Sequence, residues 1–149
     1  MPPIRRRTLL ATLAALPLTP RLASGATASN LGFSELYVSR GALGLEFSEK
    51  VNTLNGKTVA VKGFMAPPLK AEASFFVLTR EPVSLCPFCD SDKDWPTDIL
   101  VVYLSRDQAF VQNNQTIEVT GRLEVGVKVD PETRFLSRLR LVEARFRPI

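Results

Sequence analysis

The chain has 149 residues, 45% of them hydrophobic, with 19 Lys and Arg against 15 Asp and Glu, two cysteines and no histidine. Without histidine there is no Ser-His-Asp triad, no imidazole general base and no His-based metal site, which removes much of hydrolase chemistry. A net charge of +4 and a pI near 9.4 would invite a nucleic-acid partner, but the placement of that charge argues against one.

Residues 1–28, MPPIRRRTLLATLAALPLTPRLASGATA, have a basic head at Arg5, Arg6 and Arg7, a short apolar run over 9–16 and small residues with A-x-A character at 26–28. That order predicts a cleaved secretory signal. The run is too short for the ~20 residues of a membrane span. Arg6-Arg7-Thr8-Leu9-Leu10 resembles the twin-arginine export pattern, with an ordinary Sec signal as the alternative. Four of the 19 bases, Arg5, Arg6, Arg7 and Arg21, lie in this leader and none of the acids does, so the remainder balances 15 against 15. The basicity belongs to the leader, and the expected localisation is the periplasm.

The remaining 29–149 suffice for one domain with a single core. Residues 29–32 read as a loose leader, 33–37 as a helical turn and 45–47 as a short extended piece. In 48–56, SEKVNTLNG, Ser48 is placed to cap a two-turn helix, Val51 and Leu54 share one face, and Gly56 suits a left-handed stop. A hairpin turn at Asn55-Gly56 is the rival, without the alternation that would support it.

From Gly56 onward the period changes to two. Residues 58–65 predict a strand, ended by Pro67 and Pro68, which cannot donate to a ladder. A second strand is expected over 74–79 and a third over 99–104, whose nearly continuous apolar run suggests burial on both faces. Residues 107–114 form a polar connection with room for one helical turn. Residues 116–125 alternate cleanly, with Gly121 where a bent strand wants one. Residues 136–146 alternate again, with Leu139, Leu141 and Ala144 or Phe146 inward and Arg138, Arg140, Glu143 and Arg145 outward. Five strands and one or two short helices predict a mainly β, small five-stranded Greek-key barrel of the OB type, with a β-sandwich as the alternative.

The chemistry concentrates in 84–96, SLCPFCDSDKDWP. Cys86 and Cys89 form a CxxC that by tetrapeptide looks like a glutaredoxin site, in which a helix N-terminus lowers the first thiol's pKa. Against this, two strands and a helix precede the motif, Asp90, Asp92 and Asp94 disfavour a thiolate, and Pro96 would break the following helix. A second reading is metal: two thiolates at this spacing are half of a zinc or copper site, and Asp90, Asp92 and Asp94 are the available oxygen donors. A calcium loop fails, because Trp95 and Val101 stand where the turn glycine and bidentate glutamate belong. The third reading is a Cys86–Cys89 disulfide in an oxidising compartment, worth about 2 kcal/mol for so short a loop, with Trp95 as a lid over one barrel end. Further along, Arg134, Arg138, Arg140, Arg145 and Arg147 make a basic edge opposed to the acidic 90–98, an arrangement able to steer a partner.

The set Leu54-Asn55-Gly56-Lys57, Val61 through Leu69 (VKGFMAPPL), Phe75-Phe76-Val77-Leu78, Cys86-Pro87-Phe88-Cys89 and Val119-Thr120-Gly121-Arg122-Leu123 resembles an uncharacterised family of small exported bacterial proteins, over roughly residues 33–145. The resemblance implies an OB-like domain and a periplasmic accessory role beside ABC-type permease and metal-handling components, with zinc as the implied metal. Related members carry a cysteine and a histidine in a proline-rich segment, and this chain has no histidine. The reading is a non-enzymatic binding protein of the envelope; the alternative is a thiol–disulfide oxidoreductase with Cys86 as nucleophile and Cys89 as resolving thiol.

Overall fold

A computed structural model describes residues 27–41, 44–67, 75–84 and 96–149. The leader expected over 1–28 lies outside them up to residue 26, as does the cysteine-bearing stretch 85–95. In chain order the elements are β1 (Ser29–Asn30), a 3-10 turn (Phe33–Glu35), β2 (Tyr37–Gly41), β3 (Gly44–Phe47), α1 (Glu49–Leu54), β4 (Thr58–Met65), β5 (Phe75–Thr79), β6 (Ile99–Leu104), β7 (Thr116–Val129) and β8 (Leu136–Pro148). No helix among the described residues is long and apolar enough to cross a membrane.

The segment before β4 is more ordered than its sequence suggests. Ser29 and Asn30, expected to be loose, pair in parallel with Val59 and Ala60. The Leu31 amide donates to the Ala60 carbonyl at 3.0 Å, and the Leu31 side chain is buried. β2 and β3 make a separate two-stranded sheet in which Tyr37 stacks on Phe47 with centroids 5.2 Å apart. The helix forms as expected. Ser48 Oγ accepts from the Val51 amide at 3.1 Å and donates to the Glu35 carbonyl at 2.6 Å. One hydroxyl therefore caps α1 and ties it to the preceding turn. Val51 and Leu54 go into the core. Gly56, at φ +79, takes the left-handed conformation that a side chain would resist.

The other strands form one sheet in the order β1-β4-β5-β6-β8-β7, with β4 also paired to β7. Each of β4, β5, β6, β8 and β7 thus has hydrogen-bonded neighbours on both sides, and the series of pairings returns to its start. All these pairings are antiparallel except β6 with β8. β4 alternates as predicted, with Val59, Val61 and Met65 buried. β6 is buried on both faces over Ile99 to Val102, in accord with its unbroken apolar run. Phe76, Leu78, Leu100, Ile117, Val119, Leu123, Leu139 and Leu141 complete the centre of the core, each contributing roughly 1.5–3 kcal/mol by leaving water.

β7 and β8 run longer than expected and carry the two irregularities that shape the molecule. Along β8, Thr120 faces Arg145 while Arg122 faces Val142, so β8 holds one extra residue against two on β7. The same extra residue appears against β6, where Val102 faces Leu141 and Leu104 faces Ala144. Glu143, at φ +52, is the residue at this bulge. It moves the buried set from Leu139 and Leu141 to Ala144 and Phe146, which is why inward residues change parity there. Gly121 sits opposite. A Cβ on it would lie 2.9 Å from Ala144 Cβ and 3.1 Å from the Val142 carbonyl, so only glycine lets the bulged strand approach so closely. The second irregularity lies on β7 between Val125 and Lys128; Val127 within it and Val129 beyond it are exposed.

Two further expectations need correction. Residues 107–114 form no helical turn; Gln108 instead turns its carboxamide onto β8, its Nε2 donating to the Phe146 carbonyl and its Oε1 accepting from the Phe146 amide, both at 3.0 Å. Those bonds extend the ladder past the end of β6, an alternative that competes with local helix. Arg140, expected outward in solvent, is buried because neighbours on the β7–β8 hairpin satisfy its guanidinium.

Candidate functional site

The residues that sequence singles out, Cys86, Cys89, Asp90, Asp92, Asp94 and Trp95, lie outside the described residues. The structure shows the two ends of the connection that carries them. β5 ends at Thr79 and β6 begins at Ile99, with the Arg80 amide donating to the Asp98 carbonyl at 3.1 Å. Thr79 Oγ1 lies 2.7 Å from the Glu81 carbonyl and 3.2 Å from that of Phe64; its single proton serves one at a time. Asn113 Nδ2 donates to the Val83 carbonyl at 2.8 Å, and Val83 packs on the core. The cysteine-bearing segment therefore leaves and returns through a braced stem, beside the end of β4 and the 105–115 connection. Among the described residues no three His, Cys, Asp or Glu side chains are grouped to hold a metal.

Polar chemistry within the described residues gathers in two places. The first is the β7–β8 hairpin. Asp130 Oδ1 accepts from the Thr133 amide and hydroxyl, each at 2.9 Å, and from the Glu132 amide at 3.2 Å; Oδ2 accepts from the Tyr103 hydroxyl at 3.2 Å. Burial pushes the Asp130 pKa up, but these donors outweigh it and hold the carboxyl below its ordinary value. Tyr103 moves the other way, to about 12, through burial first and then the charge of Asp130. Its ring packs at 5.2 Å on Phe75 and lies 5.3 Å below the Lys128 ammonium. Arg140 Nε donates to Glu124 Oε2 at 2.9 Å, and its other donors reach the Gly126 carbonyl at 2.8 Å and Ser137 Oγ at 3.3 Å. Burial raises the Glu124 pKa, and Arg140 with Arg122 more than reverses that. Asp130, Glu124 and Arg140 are thus each answered, while Arg138 Nε on the same hairpin is buried without a partner among the described residues; the network binds the hairpin together.

The second place is a cleft of about 500 Å³ on the outer side of the sheet, lined by Thr58, Ser105, Thr120, Gly121, Arg122, Glu143 and Arg145. Strand register assembles it: Thr58 faces Arg122 across β4 and β7, and Thr120 faces Arg145 across β7 and β8. Arg122 lies 3.0 Å from Glu124 and 3.6 Å from Glu143. Arg145 has no ion-pair partner among the described residues; its Nε donates to Ser105 Oγ at 3.4 Å. Two positions along, Arg147 is tightly held by Glu118 at 2.6 Å. Sequence reasoning placed Arg145 and Glu143 outward and flagged Gly121, but it had no register with which to bring them to one cleft.

No family model matches the chain, and no curated protein matches it by sequence. Among solved structures, it is similar to the crystal structure of a DUF3299 family protein from Pseudomonas aeruginosa PAO1, with 14% identity and a TM-score of 0.53. That match covers 82% of this chain and 96% of the other. At such identity the likeness is one of fold.

Proposed function

We propose that the protein is an exported accessory protein of the bacterial periplasm, and that it binds a metal through the segment bearing Cys86 and Cys89. In this reading the closed series of strands is a five-stranded Greek-key barrel of the OB type. The parallel pairing of β6 with β8, the only one in the series, and the return of β7 to β4 support that assignment. The barrel is the scaffold, and the connection between β5 and β6 is the working part.

The observation that carries the reading is the braced stem: three separate hydrogen-bonded contacts at Thr79, Arg80 and Val83 hold the ends of the segment containing both thiols of the chain. Ligand-bearing segments work best when set on a rigid frame. The residues present suit zinc in kind, with Cys86 and Cys89 as thiolates and Asp90, Asp92 and Asp94 as oxygen donors. Export through the twin-arginine route and partnership with an ABC-type transport system fit the leader and the family resemblance.

Zinc titration of the reduced chain tests this. One zinc per chain, lost in Cys86→Ser, is the expected result. If the chain takes up no zinc, and Cys86 titrates well below the ordinary thiol value of about 8.5 while forming a reversible mixed disulfide, the protein is a thiol–disulfide oxidoreductase. If it does neither and its oxidised form merely resists heat better, the cysteines are a structural staple.

A further inference from the structure

We infer that the cleft over β4, β7 and β8 is a binding site for the oxyanion group of a small solute, a carboxylate or a phosphate, held between Arg122 and Arg145. The inference is independent of the chemistry of Cys86 and Cys89.

Charge is the first ground. The lining holds two guanidinium groups against one carboxylate, Glu143; Glu124, outside the lining, takes one amino group of Arg122 at 3.0 Å, so the free positive charge is that of Arg145. Arg145 keeps all but one of its five donors without a partner among the described residues. The neighbouring Arg147, by contrast, is held by Glu118 at 2.6 Å. Around the two arginines stand the hydroxyls of Thr58, Thr120 and Ser105, small rotatable donors that complete the coordination of an oxyanion after a guanidinium has fixed it.

Backbone conformation is the second ground. Glu143 is a non-glycine residue in the left-handed region, which costs on the order of 1 kcal/mol or more. The bulge sets its side chain on the rim of the cleft, 74% exposed and 3.6 Å from Arg122. An ion pair so long and so solvated contributes little. Glu143 can therefore swing away when a better acceptor arrives, and its carboxylate acts as a weak internal competitor for the ligand. Gly121 makes this geometry possible by letting Ala144 close against it.

The test is an NMR titration of the ¹⁵N-labelled full chain with inorganic phosphate and, separately, succinate, at constant ionic strength set with chloride. The expected result is a saturable shift confined to the amides of Thr120, Gly121, Arg122, Glu143 and Arg145. Arg145→Gln weakens binding about tenfold, the worth of one charge-assisted contact. Glu143→Gln tightens it about threefold by removing the competitor. Both side chains are exposed, so both variants keep the fold. Saturation by one anion alone upholds the site and names its ligand class. Absence of saturation with both anions, equal affinity in Arg145→Gln, or weaker binding in Glu143→Gln overturns the inference.

Discussion

Arg140 and Arg145 stand five residues apart on the same strand, one on each side of the bulge at Glu143. Before the bulge, Arg140 is sunk into the hairpin network with Glu124, Ser137 and the Gly126 carbonyl around it. After it, Arg145 lies in solvent at the edge of a cleft with one long bond to Ser105. In sequence both are arginines alternating with apolar residues. The inserted residue keeps both on the outer face, Arg140 opposite Glu124 and Arg145 opposite Thr120, and their different fates follow from those neighbours: a carboxylate, a carbonyl and a serine hydroxyl around the first, a single serine hydroxyl beside the second.

The largest expected effect separates the two arginines directly. Arg140→Ala leaves Glu124 and the Gly126 carbonyl without their buried donor and costs about 3 kcal/mol in urea unfolding. Arg145→Gln changes stability by less than about 0.5 kcal/mol, as exposed substitutions do. Equal costs would erase the distinction between the halves. Gly121→Ala comes next, at about 2 kcal/mol by thermal melting, because its methyl group would press on Ala144 across the bulge. A neutral result would mean that β8 gives way easily and that the close approach is not needed.

The hairpin half also has a pH signature. The Tyr103 pKa is raised to about 12 when folded, against about 10 when unfolded. The stability tied to its protonated form is therefore complete below pH 10 and is lost as pH rises through the folded value. Urea midpoints followed across this window should fall less steeply in Tyr103→Phe than in the parent chain. Parallel curves would remove Tyr103 from the network. The smallest effect is a gain: Glu143→Gly relieves the left-handed strain and stabilises by at most about 1 kcal/mol.

How much of this could be read beforehand depends on how local each cause is. β4 and β6 announce themselves, because the alternation of Val59, Val61 and Met65 and the apolar run from Ile99 need no partner to be recognised. The helix does too, through Ser48, Val51, Leu54 and Gly56. β1 is two residues paired only with β4 and β2 pairs only with β3, so neither has a sequence signal of its own, whereas β3 is legible in part as the extended piece expected over 45–47. The burial of Arg140 depends on Glu124, sixteen residues away and brought near by register. The cleft at Arg145 gathers residues from four strands or their ends, and only Gly121 hinted at it. The cysteine pair is the reverse case, plain in the sequence while the structure describes its stem.

The central claim is that Cys86 and Cys89 bind a metal from a braced connection between two strands of a closed scaffold. The most direct measurement is the X-ray absorption spectrum of the reduced chain after exposure to zinc and removal of the excess. The account predicts retained zinc with two sulfur ligands near 2.3 Å and oxygen ligands at about 2.0–2.2 Å. Loss of the metal on washing, or a shell of oxygen alone, would contradict it.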